Sequence, residues 1–277
     1  MPALLAACGV VAPPRRSPEP TLSNLSYYRD LVEPFGLAVD ETLLRSAPHV
    51  SHRDLVDRLV AAPAVRDSEP DLVIVAHALP DITPFTAMSP YLDRLLGGRA
   101  VNFGIHQQGL AAPFTALRAV SAFQRAGRSE RAVLAVLEQT TLPTPFPLVH
   151  DNHLVDSGVL LVLGTGGGPR ITRVESVAAT EPAATRLGEL TAKDPEGTLL
   201  VTGPWLDRDP LGQDIPSFHC NPGTYCTSVW LALARHWTDW RERYGTVLLC
   251  DTDPLSGTTH IAVLHSDRTR DAARGER

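Results

Sequence analysis

Apolar residues occur along this chain in short, nearly unbroken runs, and polar stretches rich in Pro, Gly and Asp separate them. Runs of this kind that end at Pro or Gly predict buried strands. Ala3–Val11 is the first. DLVIVAHALPD from Asp71, RAVNFGI from Arg99, RAVLAVLEQ from Arg131 and SGVLLVLGTGGG from Ser157 follow. A second set comprises PRITRVESVAA from Pro169, GTLLVTGPW from Gly197, TVLLCDTDP from Thr246 and HIAVLH from His260. Between the runs the apolar spacing lengthens to that of a helix. SHRDLVDRLVAA has Ser51 as an N-cap and Leu55, Leu59 and Val60 as apolar positions. FTAMSPYLDRLLG is helical after Pro90, and Leu110 to Arg125 forms a helix closed by Gly127. GTYCTSVWLALARHWTDWRERYG is a long amphipathic helix with Val229, Leu233 and Trp237 on one face and Cys226 on its buried side. Arg15 to Val50 is irregular and polar, with one short helix near Leu25 to Val32. Strands alternate with helices twice over, and the strands are apolar enough to be covered on both faces. That predicts layered α/β architecture around a buried sheet.

The 277 residues allow one large domain or two of modest size. A hydrophobic fraction of 43% supplies the core of an ordinary soluble globular protein. The net charge of -6 and the lack of a basic stripe set nucleic acid aside as a partner. Cys8, Cys220, Cys226 and Cys250 are scattered without Cys-x-x-Cys spacing, which suggests free thiols in a reducing, cytoplasmic setting. LLAAC near the start has the outline of a lipoprotein cleavage box. No Lys or Arg precedes it, and its apolar run is too short for a signal segment, so a first strand is the better reading. No apolar run approaches the ~18 residues of a membrane helix, and no membrane partner is expected. The glycines of GTGGGP, 164–169, follow a strand but open no helix and lack the Lys-Ser/Thr of a phosphate loop, so they mark a turn.

The stretch NFGIHQQGLAAPFTAL, 102–117, has the outline of a strand, a tight turn and a buried helix. A helix N-terminus stabilises an anion, so such a turn suits a nucleophile. Yet the stretch contains no Cys, no Ser and no acid.

The order of these pieces resembles the thiolase-fold ketosynthases, in particular the ketoacyl-ACP synthase III group. DLVIVAHALPD looks like that family's DLIIVATxTPD, and VNFGIHQQGLAAPFTAL like its FDIxAACSGFxYAL nucleophile elbow. HLVDSGVLLVL looks like FGDGAGAVVL, with Asp156 at the aspartate of GDG. GTYCTSVWLAL looks like GNTSAASIPLAL, and GTVLLCDTDPLSGTTHIAVL like the closing strand-glycine-strand. The resemblance implies a five-layer αβαβα fold with two similar halves, 1–165 and 166–277, and a two-fold dimer. It also implies acyl transfer by a Cys at a helix N-terminus, with a His and an Asn stabilising developing charge. Carried over one at a time, those positions are degenerate. The Cys falls at Gly109 or Leu110, the His near Gly203 and the Asn at Thr224.

Several other residues invite chemistry. Gln107 and Gln108 are similar to the Gln that chain-length-factor subunits carry in place of Cys, and they also read as amides that cap the following helix. His106 reads as a structural imidazole or as one facing a pocket or interface. His219, Cys220 and Asn221 are the one place where the three catalytic residue types meet, and a relocated Cys220 nucleophile or a His219 base is the alternative to a surface loop. His150, Asp151 and His153 have some metal-ligand character, but no metal or cofactor is expected; the resemblance puts them near the tunnel and the dimer interface. The expected role is a non-catalytic partner of an intact ketosynthase III-like subunit, in a heterodimer or heterotetramer. The pair would act on acyl-CoA or acyl carrier protein in fatty acid, polyketide or related secondary metabolism. The alternative is an active acyltransferase or condensing enzyme with relocated residues.

Overall fold

The computed structural model describes residues 1–14, 22–82, 86–207 and 215–266. Ten strands are β1 (Ala3–Val11), β2 (Leu72–His77), β3 (Val101–Ile105), β4 (Arg131–Glu138), β5 (Ser157–Gly164), β6 (Arg170–Val177), β7 (Thr198–Thr202), β8 (Ser217–His219), β9 (Thr246–Thr252) and β10 (Thr259–His265). Among the described residues the helices are α1 (Leu22–Val32), α2 (Glu41–Ser46), α3 (His52–Val60), α4 (Pro63–Arg66), α5 (Met88–Leu95), α6 (Ala112–Arg125), α7 (Pro147–His150), α8 (Ala183–Thr191) and α9 (Ser228–Arg243).

The strands hydrogen-bond in the order β3-β2-β4-β5-β1-β6-β10-β9-β7-β8. Read outward from the middle, the two halves repeat one another. β4 and β3 flank β2 in parallel, while β5 runs antiparallel to both β4 and β1. In the same way β9 and β8 flank β7 in parallel, and β10 runs antiparallel to both β9 and β6. The edges of the two five-stranded units join at one ladder pair, Ala3 with Arg170, backed by Leu4 N–H on Pro169 O and Ile171 N–H on Pro2 O, both at 2.8 Å. The glycines before β6 serve this junction. A Cβ at Gly168 would sit on the carbonyl oxygen of Leu4, so only glycine permits the close approach.

Side-chain alternation along each strand sorts the core into layers. Leu72, Ile74, Leu134, Val136, Leu161 and Leu163 join Leu199, Val201, Leu249 and Leu264 in one cluster with Phe114 of α6 and Trp230 of α9. Their neighbours Val73, Val75, Val133, Ala135, Leu160 and Val162 face the other way, onto α3 and α5. On the second unit Leu200, Leu248, Cys250, Ile261 and Val263 face Leu187 of α8. The result is outer helices, sheet, central helices α6 and α9, sheet, outer helix: five layers, αβαβα.

Most elements fall where the apolar pattern puts them. Ser51 caps α3 in a full capping box with Asp54. Gly127 follows α6 with φ 65°. Between Arg15 and Val50 the chain is more ordered than its polarity suggests, since α1 starts at Leu22 and α2 is capped by Asp40; residues 15–21 of that region lie outside those described, as does Phe85 of the FTAMSPY segment. The long C-terminal helix begins at Ser228, not near Gly223, so Cys226 precedes the helix instead of lying on its buried face. A buried carboxylate, Glu138, takes the N–H groups of Tyr225 and Cys226 and fixes that segment as a turn. No helix among the described residues is long and apolar enough to cross a membrane.

Candidate functional site

β3 leads through residues 106–108 into a 3-10 turn, Gly109–Ala111, and then into α6, whose first turn carries Pro113. Gln107 (φ 60°) and Gly109 (φ 54°) both adopt the left-handed region. Gly109 is one of the two positions, with Leu110, at which the family resemblance puts a cysteine. There is no room for one. A Cβ at Gly109 would lie 2.5 Å from the Tyr225 hydroxyl and 2.6 Å from Oδ2 of Asp253. The Tyr225 hydroxyl also accepts the N–H of Leu110 at 3.1 Å, and hydrogen-bonds the Asp253 carboxylate. Burial first, and Asp253 second, push the Tyr225 phenol well up, so it stays a neutral donor. Leu110 itself is buried in the central core.

The position expected for histidine is filled as well. Gly203 follows β7, and its N–H donates to Cys250 O at 2.8 Å. A Cβ there would coincide with the carboxylate of Asp251. Asp251 is fully buried at the end of β9. It accepts from Trp205 N–H (3.0 Å), Thr252 N–H (2.9 Å) and the Ser228 hydroxyl (3.1 Å). Burial pushes its carboxyl up to about 7, against those donors. Thr224, at the position expected for asparagine, is buried and offers its carbonyl to the Trp205 indole N–H at 3.2 Å.

Glu138 ties these pieces together from the end of β4. It has no exposed surface, and accepts Tyr225 N–H at 2.8 and 3.0 Å and Cys226 N–H at 2.5 Å. Burial raises it to about 7, and the backbone donors oppose that rise. Asp156, of the HLVDSGVLLVL motif, stands immediately before β5. It accepts from the N–H and hydroxyl of Thr140 at 2.7 and 3.0 Å, and burial raises it to about 6. The site thus holds buried carboxylates and a phenol, all engaged in structural hydrogen bonds, and no nucleophile at the elbow.

The remaining candidates scatter. Gln107 and Gln108 are exposed, and no side chain caps the turn that follows. His106 is exposed and stacks at 5.5 Å on His77, which tilts at 4.8 Å against buried His52. His150 turns its Nδ1 back on the backbone of Phe146, at the start of its own helix. His153 is exposed with φ 49°. Among the described residues no three His, Cys, Asp or Glu side chains stand where they could hold a metal ion. His219 ends the edge strand β8, with its ring on the Thr202 hydroxyl at 2.6 Å. Cys220 is buried in the central core, and its N–H donates to Thr202 O. Neighbours on a strand alternate in direction, and the two side chains indeed part company.

Sequence reasoning missed Tyr225, Asp251, Asp253 and Glu138. The one available signal was CDTDP, two acids in a strand otherwise apolar enough to be buried.

No protein-family profile matches the chain, and no curated protein matches it. Solved structures do. AbyA1, a tetronic acid condensing enzyme, is 17% identical over 96% of this chain and 100% of its own, with a TM-score of 0.63. The 3-oxoacyl-[acyl-carrier-protein] synthase III of Aquifex aeolicus is 14% identical over 96% of this chain and 100% of its own, with a TM-score of 0.60. Xanthomonas campestris OleA, in crystals with lauric acid and lauroyl-CoA, is 11% identical over 95% of this chain and 98% of its own, also at 0.60. These likenesses run the length of the chain, and at such identities they establish its architecture: it has the thiolase-like αβαβα fold of the ketosynthase III and OleA structures.

Proposed function

We propose that this chain is a non-catalytic ketosynthase III-like subunit that pairs with an intact ketosynthase or acyltransferase in acyl-thioester condensation. One observation carries the reading. Two of the three positions that would bear catalytic side chains are glycines, and the space beside each is occupied by a carboxylate of the β9–β10 hairpin. An elbow that had merely lost its cysteine would leave a cavity beside Gly109. Instead the Tyr225 hydroxyl and Asp253 fill it and bind one another, so the framework is repacked around the loss. The names of the structural neighbours, condensing enzymes and an acyl-carrier-protein synthase, support acyl thioesters as the chemistry of the pair. Acyl-CoA or an acyl carrier protein is then the ligand of the assembly.

The experiment is co-expression with an intact ketosynthase III-like protein from the same genome. A one-to-one complex whose acyl transfer far exceeds that of either chain alone supports the reading. A chain that stays separate and turns over acyl-CoA by itself sinks it, and favours the relocated nucleophile at Cys220 or His219.

A further inference from the structure

The cleft between α6 and β6 lies away from the elbow and takes no part in the reading above. It is a cavity of about 320 Å³, within the range of small-molecule sites. Arg118, Ser121 and Arg125 of α6 line one side, and Thr172 and Arg173 of β6 line the other. Met1, Ile171 and Val174 complete its lining with apolar surface. No carboxylate is among the lining residues, although the chain as a whole carries a net charge of -6.

The three guanidinium groups are held differently. Arg125 is exposed and makes no ion pair among the described residues. Arg173 reaches Glu175 Oε2 at 3.3 Å, but that carboxylate is already clamped by Arg186 at 2.6 and 3.0 Å. Arg118 donates to the Ser176 hydroxyl at 3.0 Å, and Ser176 lies 2.8 Å from Nδ1 of buried His260. Arginine can only donate, so Ser176 accepts from it and has its own proton for His260. This chain of bonds aims Arg118 before any ligand arrives, and pre-organisation of that kind favours binding. Three arginines and the Ser121 hydroxyl in one concavity match the several acceptor oxygens of a phosphoryl group, which guanidinium forks bind in pairs of hydrogen bonds; the Thr172 hydroxyl is already donated to Val263 O at 3.3 Å.

We propose that this cleft binds the phosphoryl group of a small molecule, with Arg118 and Arg125 as its principal ligands and the apolar wall against the rest of the molecule. The proposal does not depend on the chain being a non-catalytic subunit.

The test is calorimetric titration of the full chain with inorganic pyrophosphate and, separately, ADP, at low and high salt. The expected result is saturable binding that weakens with salt and falls at least about tenfold in Arg118→Gln/Arg125→Gln. Ser176→Ala should weaken it several-fold by releasing Arg118. Arg99→Gln, which removes an exposed arginine paired loosely with Glu69 at 4.0 Å, should leave it unchanged. Tighter binding of ADP than of pyrophosphate assigns the apolar wall to the organic part, and equal binding assigns recognition to the phosphoryl group alone. Lack of binding at millimolar pyrophosphate and ADP overturns the proposal, and so does equal weakening by Arg99→Gln. If the double variant fails to fold, Arg125→Gln alone carries the test, since that side chain supports nothing else.

Discussion

Gly109→Ala is the smallest change that probes the filled elbow. It adds one methyl group at φ 54°, 2.5 Å from the Tyr225 hydroxyl and 2.6 Å from Asp253. Two effects add. Placing a Cβ in the left-handed region costs roughly 1–2 kcal/mol. Pushing the phenol aside strands the Leu110 N–H or an Asp253 oxygen, for about 1–3 kcal/mol more. The sum is about 2–5 kcal/mol. At roughly 2–4 °C per kcal/mol for a chain of this size class, the melting temperature should fall by about 4–20 °C. Tyr225→Phe removes the atom that the new methyl group meets first. The double variant should therefore lose less than the two single variants added together, by about 1 kcal/mol. Differential scanning calorimetry of the four proteins gives the cycle. A Gly109→Ala protein within roughly 0.5 kcal/mol of the parent would refute the reasoning, because an unoccupied, unstrained elbow would tolerate the methyl group.

Gly203→His restores the family's residue type but collides with Asp251, so it should lower the urea midpoint and yield no acyl transfer in an assay with acyl-CoA. The buried carboxyls set a pH dependence. Glu138 and Asp251 are raised to about 7 and Asp156 to about 6, so the folded state holds more protons than the unfolded state between about pH 4 and 7. Stability is therefore fully present below the ordinary carboxyl range and declines as pH rises toward 7, by at most about 1.4 kcal/mol per pH unit per group. Urea midpoints at pH 5, 6, 7 and 8 measure it, and Glu138→Gln should flatten part of the slope; a midpoint that rises from pH 5 to 7 would show the sign to be wrong. Cys220→Ala should leave acyl transfer by the complex unchanged, since that thiol is buried in the central core. A loss of turnover with the fold intact would move the chemistry to Cys220.

Much of the fold was legible from apolar spacing because the inner strands β2, β4, β5, β9 and β10 are covered on both faces. Runs such as LVIVAH and RAVLAVLE are buried almost throughout, and their alternation divides cleanly between two core clusters. That 102–117 holds no Cys, no Ser and no acid is likewise read directly from a local stretch. What fills it was not. Tyr225 meets Leu110 across 115 positions of sequence, and Glu138 meets Tyr225 across 87. No local pattern pairs such residues. Cys226 was misplaced for the same reason, since the helix periodicity runs on past Ser228 toward Gly223 and only the distant Glu138 stops it. The arginine cleft was invisible because Arg118, Arg125 and Arg173 lie on elements that become neighbours only in the folded chain.

The measurement that bears most directly on the supporting-subunit role is to incubate the co-expressed complex with acyl-CoA or acyl carrier protein, quench it, and map the acyl group by peptide mass spectrometry. The acyl adduct should reside on a cysteine of the partner, with peptides covering 102–117 and 217–226 of this chain unmodified. An acyl group on Cys220, or on any other residue of this chain at a rate that matches turnover, would contradict that role.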